Sequence, residues 1–191
     1  MDQAMTSTAT RMTRAQFLAR GEKVDARRYE LLDGELIVDE PTTRHQMAFR
    51  ELLYELTHWA RGGPRRGQTI PTIDTDIGPR TILAPDLQWY ADGRAMNDID
   101  SRPQPHGDIA IEIRSPSTWH YDVGRKRAAY EAVGVQEYWL VDPSTRTIVI
   151  LGRSAPDAPT FDTSREVSHD DVLTSPLLPG FAVPVTTLLP A

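Results

Sequence analysis

The sequence contains no cysteine and almost no lysine. Without cysteine in its 191 residues, the chain cannot form disulfide bonds, use a thiolate nucleophile or bind zinc through sulfur. Any metal must therefore be held by Asp, Glu, His or backbone oxygen. The 21 basic residues comprise 19 arginines and two lysines, Lys23 and Lys126. Because a compact ammonium group and a guanidinium group are not interchangeable, the position of each lysine is informative.

Long hydrophobic runs and common catalytic motifs are also absent. No apolar segment approaches the roughly 20 residues of a membrane span, and the polar first residues lack the hydrophobic core of a signal peptide. We therefore expect a cytoplasmic protein with no membrane partner. The sequence has no G-x-x-x-x-G-K-[ST] or G-x-G-x-x-G loop, which argues against nucleotide-binding enzymes. Without G-x-S-x-G or H-E-x-x-H, serine hydrolases and zinc proteases also lack support.

The composition is that of an ordinary folded domain. Hydrophobic residues make up 39% and charged residues 25% of the chain. We expect a flexible tail over residues 1–12 and a single domain over residues 13–191. The net charge of −6 argues against a surface that is basic throughout, although a local basic groove is compatible with it.

Hydrophobic periodicity and turn residues predict a mixed α/β fold. Thr13 is placed to cap a short helix, and Asp33-Gly34 predicts a hairpin turn within residues 29–39. Apolar residues recur at helical spacing over residues 43–61, and Gly62 follows as a stop signal. We predict that this segment is the longest helix.

Further along, segments rich in β-branched and aromatic residues predict strands. Residues 69–77, 82–91 and 108–113 are expected to be consecutive strands of one sheet. The polar, proline-containing segment 92–107 is expected to be an exposed loop and a candidate for mobility. An amphipathic helix is predicted over residues 122–134, with a second pair of strands after it.

Two carboxylates are the first candidates for chemistry. Asp86 follows Pro85 at the start of a predicted strand. In the strand over residues 108–113, side-chain alternation places Glu112 on the face opposite to that of Ile111 and Ile113. A carboxylate in a sheet covered on both faces is costly without a cation. Asp86 and Glu112 on neighbouring strands would supply the oxygen ligands that Mg²⁺ requires. The alternative is that Asp86 is a turn residue and Glu112 faces solvent.

The predicted helix after these strands adds three polar residues. Asp122, Lys126 and Tyr130 are spaced four residues apart and so share one helix face. Taken alone, this spacing is more typical of a surface salt bridge between Asp122 and Lys126 beside a packed tyrosine. Lys126 becomes more significant because it follows the two candidate carboxylates.

Several strings together resemble a known family. They are YELLDGELIVDEPTTRHQ, APDLQWY, IAIEIRSPST and YDVGRKRAAYEAVGVQEYWLVDP. They resemble the Uma-type restriction endonucleases, a bacterial branch of the PD-(D/E)XK nuclease superfamily, from about Thr13 to the C-terminus. The resemblance implies a restriction-endonuclease-like core, a mixed central β-sheet flanked by helices, with a divalent metal between acidic residues on adjacent strands.

The resemblance also implies roles for individual residues. Asp86 matches the aspartate of the PD element, Glu112 the acidic residue of the next strand, and Lys126 a lysine moved into the following helix. Glu30 matches an N-terminal glutamate often counted with the active site. His45 matches a recurrent histidine at the start of the long helix, where a packing role is the alternative.

One position departs from the superfamily signature. Where many members keep lysine in (D/E)-x-K, this chain has Arg114. Arginine can bind a phosphate or a carboxylate but cannot act as a base, so Lys126 is the better candidate for positioning water. If Arg114 entered the site instead, these roles would change.

The leading hypothesis is an endonuclease that uses Mg²⁺ or Mn²⁺ to hydrolyse DNA. Asp86 and Glu112 are assigned to the metal and Lys126 to the attacking water, with Glu30 nearby. The expected phosphate contacts are Arg114, Arg125, Arg127, Arg65, Arg66 and His45. The alternatives are a catalytically idle binding or assembly module with the nuclease fold, and hydrolysis of a small phosphoester. A homodimer is also an expectation, since cutting both strands of a duplex usually takes two sites.

Overall fold

Two β-sheets and the helices that pack on them form the part of the chain that the computed structural model describes, residues 11–20 and 28–190. Most of the predicted N-terminal tail, residues 1–10, and Lys23 lie outside the described residues. The last residue of the predicted tail, Met12, donates its backbone N–H to the carbonyl of Gly34. The described chain therefore begins in contact with the first hairpin.

The N-terminal elements follow their local sequence signals. Helix α1, Arg14–Leu18, is capped by the Thr13 side chain, as predicted. Strands β1, Arg28–Leu32, and β2, Glu35–Asp39, form an antiparallel hairpin. Asp33 and Gly34 have φ angles of 52° and 82°, the left-handed pair that a tight hairpin turn requires. The predicted hairpin is therefore confirmed.

The longest helix also lies where the sequence places it. Helix α2 spans Thr43–Arg61 and ends at Gly62. The other helical segments are α3, Trp119–Tyr121; a π-helical segment, Asp122–Lys126; α4, Arg127–Val133; and α5, Val185–Leu188. Among the helices of the described residues, none is long and apolar enough to cross a membrane.

The remaining strands belong to two larger sheets and a small hairpin. In chain order they are β3 (Gln68–Pro71), β4 (Thr75–Gly78), β5 (Thr81–Leu83), β6 (Leu87–Tyr90), β7 (Gln104–Pro105), β8 (Ile109–Ile113), β9 (Glu137–Asp142), β10 (Thr147–Gly152), β11 (Thr163–Val167), β12 (Val172–Thr174) and β13 (Ala182–Pro184). The five-stranded sheet has the order β2-β1-β5-β4-β7 and the six-stranded sheet the order β11-β10-β9-β8-β6-β3. Strands β8 and β9 are parallel, which makes the six-stranded sheet mixed.

The prediction that residues 69–77, 82–91 and 108–113 are consecutive strands of one sheet is wrong. Each of the first two segments divides, so that β3 and β6 join the six-stranded sheet while β4 and β5 join the five-stranded one. Prolines at positions 71 and 85 lie at or just before these divisions, where a residue without an N–H cannot continue the ladder. Asp86 therefore lies where the chain crosses from one sheet to the other.

The two faces of the six-stranded sheet have different coverings. Leu52 and Leu56 of α2 pack with Ile111 and Trp139 on one face. On the other face Tyr138 and Leu140 pack with Tyr130 of α4, and with Leu32 and Leu83 of the five-stranded sheet. This confirms the predicted alternation in β8, because its three isoleucines face α2 and Glu112 faces away from them. Glu112 therefore lies between the two sheets and α4.

Two loop and helix predictions need correction. The segment 92–107 is not exposed throughout, since β7 pairs with β4 and Gln104 is buried. The helix predicted over residues 122–134 starts as the π-helical segment, and Val123, expected on its apolar face, is 43% exposed. The buried residues of this segment are Asp122 and Lys126 instead.

Candidate active site

Four buried carboxylates and one buried lysine meet between the two sheets. Glu30 comes from β1, Asp86 from the β5–β6 crossing, Glu112 from β8, and Asp122 and Lys126 from the π-helical segment. Their exposed fractions are between 1% and 3%. We call Glu30, Asp86, Glu112 and Asp122 the acidic cluster. The structure thus brings together all four residues that the sequence assigned to catalysis.

Lys126 is the centre of three ion pairs. Its Nζ lies 2.6 Å from Glu30 Oε2, 3.0 Å from Asp122 Oδ1 and 3.2 Å from Glu112 Oε1. Burial alone would lower the pKa of Lys126, but the carboxylates of Glu112, Glu30 and Asp122 raise this pKa well above its usual value. The alternative of a surface salt bridge between Asp122 and Lys126 is wrong, because both side chains are buried.

Asp86 is held by donors on both of its oxygens. Arg28 Nη1 donates to Oδ1 over 2.7 Å, His45 Nε2 lies 3.1 Å from the same oxygen, and the Ile113 N–H donates to Oδ2 over 2.7 Å. Burial raises the pKa of Asp86, but His45, Arg28 and the Ile113 N–H outweigh it and lower the pKa to about 2. Asp86 therefore lies in the bend between β5 and β6, as the turn-residue alternative has it, but it is a buried, ionised and oriented carboxylate.

Burial in the cluster disfavours the ionised forms of Glu112 and Asp122. Burial raises the pKa of Glu112 well above its usual value. Lys126 opposes this shift, whereas the negative charges of Asp122, Glu30 and Asp86 add to it. Burial likewise raises the pKa of Asp122 to about 7, against the opposing effect of Lys126. The Tyr130 hydroxyl donates to Glu112 Oε1 over 2.9 Å. Glu112 is 2% exposed, so the alternative that it faces solvent is wrong.

Glu30 and His45 are buried, and each contacts another residue of the site. Glu30 Oε1 accepts the Ala84 N–H over 2.7 Å, which ties β1 to the chain just before Asp86, while Oε2 faces Lys126. His45 is buried in the first turn of α2 and its Nε2 faces Asp86. Each residue is therefore a packed structural element that also touches the site.

Carboxylate oxygens are suitable ligands for a hard divalent cation, but in this structure they contact Lys126 and Arg28. Four carboxylates face two permanent cations, Lys126 and Arg28, so there is an excess of negative charge whenever all four are ionised. A divalent metal with carboxylate oxygen ligands would compensate that excess. Within the part of the chain described, no group of three or more acidic or histidine side chains is already arranged to hold a metal. The carboxylates are directed at Lys126 and Arg28 instead.

The predicted phosphate contacts, His45 apart, lie away from the acidic cluster. Arg114 pairs with Asp142 at 2.5 Å, and its guanidinium lies 5.7 Å from the Trp119 ring centre. Arg125 pairs with Asp33 and Glu35 of the first hairpin. The structure therefore does not place the Arg114 guanidinium in the acidic cluster.

The basic loop after α2 is at the far end of that helix. Arg66 Nη1 donates to the Trp59 carbonyl over 2.9 Å and its guanidinium stacks 5.1 Å from the Trp59 ring centre. Trp59 and His45 are separated by about 21 Å of helix at 1.5 Å per residue. Arg65 is exposed, and Arg127 is half-buried on α4. Arg65 and Arg66 therefore lie near the end of α2 that is opposite to His45.

Two residues at the site, Arg28 and Asp39, are not among those predicted from the sequence. Arg28 lies two residues before Glu30, so the two-residue period of a strand already placed both side chains on one face. The hairpin register pairs Arg28 with Asp39, which can be counted outward from Asp33-Gly34. Asp39 is buried, 3.9 Å from Arg28 Nη1, and accepts the Thr118 hydroxyl over 3.3 Å. The signal was present, although nothing in the sequence linked it to Asp86.

Comparisons with known proteins bear on the fold and the family. Residues 15–186 match the model of the Uma2 family, described as "Putative restriction endonuclease". A crystal structure of a "putative nuclease belonging to DUF820" from Anabaena variabilis ATCC 29413 has a TM-score of 0.75 and 18% identity, covering 93% of this chain and 97% of that one. At that identity the likeness concerns the fold. No curated protein gives a significant match.

Proposed function

The chain belongs to the Uma2 family of restriction-endonuclease-like proteins, and on this premise we propose that it is a Mg²⁺-dependent endonuclease acting on DNA. Asp86 and Glu112 would hold Mg²⁺, or Mn²⁺ in its place, and Lys126 would assist the attacking water. One observation carries the proposal. Four carboxylates buried between two sheets share two fixed cations, and this is an arrangement that folding alone does not favour.

The chain's own residues have separate parts in the reaction. Because its pKa is raised, Lys126 stays an ammonium ion, so it can donate hydrogen bonds to the nucleophilic water and offset negative charge on the phosphate, but it cannot act as a base. Arg28 and the Ile113 N–H keep Asp86 ionised and fixed. Tyr130 holds one oxygen of Glu112. A bound divalent metal supplies phosphate polarisation and lowers the pKa of its water.

Plasmid nicking tests this proposal directly. Asp86→Asn, which keeps the side chain's size, is expected to reduce Mg²⁺-dependent nicking of supercoiled plasmid by at least about 100-fold. Lys126→Arg keeps the charge but replaces the compact ammonium, and should also impair nicking. Asp170→Asn is the matched control, because the Asp170 side chain is 97% exposed. Nicking that persists in Asp86→Asn and Lys126→Arg would rule out this site.

A second candidate is a catalytically idle binding or assembly module with the same fold. The observation in its favour is that Lys126 and Arg28 already engage the carboxylates. Titration calorimetry with Mg²⁺ and Mn²⁺ separates the two candidates. Metal binding that Asp86→Asn abolishes supports the nuclease, whereas a folded protein with no divalent affinity supports the idle module.

The predicted substrate contacts form part of the same proposal. Arg114, Arg125, Arg127, Arg65 and Arg66 would bind phosphates outside the acidic cluster, and a homodimer would place two sites on a duplex. Binding that depends on such contacts falls steeply with salt. Hydrolysis of a small chromogenic phosphodiester without plasmid nicking would instead indicate a small phosphoester substrate.

A further inference from the structure

A cleft of about 630 Å³ opens beside the acidic cluster. It lies between the N-terminal end of β1, the β3 strand with the chain that follows it, and the segment 96–104. Its volume is in the range of pockets that hold small organic molecules and cofactors. The cleft is formed by side chains to which the catalytic proposal assigns no part, except for Arg28.

The inner end of the cleft is in contact with Asp86. Arg28 lines the cleft and donates to both the Asp86 carboxylate, over 2.7 Å, and the Ala84 carbonyl, over 3.4 Å. Thr72, another lining residue, donates its hydroxyl to the Asp86 backbone carbonyl over 3.1 Å. A molecule in the cleft would therefore lie one side chain away from the proposed metal ligand.

The walls of the cleft are largely apolar. Ile70 and Ile73 line one side, and Met96 and Ile99 line the other. Ile99 is 93% exposed, an unusual position for a large aliphatic side chain that gains nothing from contact with water. A planar ring that enters the cleft would contact these apolar side chains on both sides.

The outer wall is shaped by its own hydrogen bonds. Gln104 Nε2 donates to the carbonyls of Asp98 and Ser101 over 2.9 and 2.8 Å, and Gln104 Oε1 accepts the Asn97 N–H over 3.0 Å. At the rim, Arg102 lies 3.5 Å from Asp74. Because Gln104 is buried, the wall that carries Met96 and Ile99 is formed before any ligand binds.

From this geometry we propose that the cleft binds one unstacked base of single-stranded DNA, next to the phosphate that Asp86 and Lys126 act on. The inference rests on the proposed function. The cleft, of about 630 Å³, has room for one nucleotide but not for a base-paired duplex, and it opens beside carboxylates that are themselves at most 2% exposed. A single strand can enter, with its base against the apolar walls and its phosphates near Arg28 and Arg102.

Binding of a defined oligonucleotide tests the inference. The probe is a fluorescein-labelled single-stranded oligodeoxynucleotide, compared with the same strand annealed to its complement as a blunt duplex, using the full chain in EDTA. The single strand is expected to bind at least about tenfold more tightly. Ile99→Ala and Met96→Ala should each weaken single-strand binding about threefold, and the double variant about tenfold.

Two further readouts separate the cleft from general binding. Val172→Ala is the matched control, since Val172 is 46% exposed on β12 and does not line the cleft, and it should leave binding unchanged. A 2-aminopurine base in the single strand should change its fluorescence on binding to the unsubstituted chain, and much less on binding to the Ile99→Ala/Met96→Ala chain.

The outcomes distinguish the two proposals. Plasmid nicking that requires Asp86, together with equal affinity for single strand and blunt duplex, would overturn the cleft proposal alone. Unchanged single-strand affinity in the Ile99→Ala/Met96→Ala variant would do the same. If the chain neither binds nor cuts any DNA, both the cleft proposal and the proposed function fail.

Discussion

Two buried glutamates on neighbouring parallel strands have very different surroundings. Glu112 on β8 and Glu137 on β9 are 2% and 4% exposed, and burial raises the pKa of both. Glu137 accepts the Trp139 indole N–H over 2.7 Å, and the Ser175 hydroxyl oxygen lies 2.9 and 3.0 Å from its two oxygens. Glu137 is thus satisfied by neutral donors.

Glu112 has a different environment. It shares the Lys126 ammonium with Glu30 and Asp122, and the electrostatic effects of all three other cluster carboxylates raise its pKa. One buried carboxylate with neutral donors is an ordinary structural solution. Several buried carboxylates that share one cation are costly to fold, and the comparison therefore separates a structural acid from a candidate catalytic one.

Removing the shared cation should have the largest effect on stability. Lys126→Met leaves three carboxylates without their ammonium partner and is expected to lower the free energy of unfolding by about 3–5 kcal/mol. Ser175→Ala, which removes a neutral donor from Glu137, should cost only about 1–2 kcal/mol. Urea denaturation of both variants measures the difference.

A double variant checks that the Lys126 effect is electrostatic. Adding Glu112→Gln to Lys126→Met removes one of the uncompensated acids, so the two changes together should cost less than the sum of the single changes. Strict additivity would show that Lys126 and Glu112 are not coupled and would remove the basis of the comparison.

Neutralising each glutamate should separate their effects on activity. Glu112→Gln is expected to reduce Mg²⁺-dependent plasmid nicking by at least about 100-fold, because the proposed metal loses a charged ligand. Glu137→Gln should leave nicking within about twofold of the unsubstituted chain, because Glu137 lies with Trp139 on the face of the sheet opposite to that of Glu112. Equal losses in the two variants would indicate an effect of folding and not of the site.

The pH dependence of stability should also differ between the two regions. The pKa of Asp122 is raised in the folded state, from 3.8 to about 7, so it contributes stability below pH 4 that is lost as pH rises through about 7. The raised pKa of Glu137 acts in the same direction. The free energy of unfolding of the metal-free protein should therefore fall with rising pH, and Asp122→Asn should make this slope less steep by up to about 1.4 kcal/mol per pH unit.

Mg²⁺ should change the contribution of Asp122 to the pH dependence of stability but not that of Glu137. If Mg²⁺ binds the acidic cluster, it stabilises the ionised carboxylates and the slope due to Asp122 should shrink, whereas the slope due to Glu137 should persist. Denaturation series with and without Mg²⁺, in Asp122→Asn and Glu137→Gln, provide the measurement. A metal effect of equal size in both variants would contradict the proposed site.

The smallest effect is expected at Arg114, which extends the same strand as Glu112. Its side chain is 38% exposed and pairs with Asp142. Arg114→Ala should change the free energy of unfolding by less than about 1 kcal/mol, since exposed ion pairs contribute little. A loss of nicking as large as that in Lys126→Arg would instead show that Arg114 fills the cationic role.

The sequence predicted those parts of the fold that depend on local interactions. Asp33-Gly34 specified the first hairpin, Gly62 the end of α2, and the two-residue alternation placed Glu112 away from the isoleucines of β8. Such signals act over a few residues, through backbone conformation and periodicity. They failed at residues 69–77 and 82–91, where the choice between two sheets depends on partners distant in the sequence.

The same division holds for the site. The sequence by itself determined which reactive side chains are available. It has no cysteine, it has one lysine after two candidate carboxylates, and its resemblance to a family paired Asp86 with Glu112. Only the tertiary structure decided that Asp122 joins this cluster, that Arg28 and His45 hold Asp86, and that Arg114 turns to Asp142. The physical reason is that a charge's partner is fixed by packing between the sheets, and position along the chain does not specify that packing.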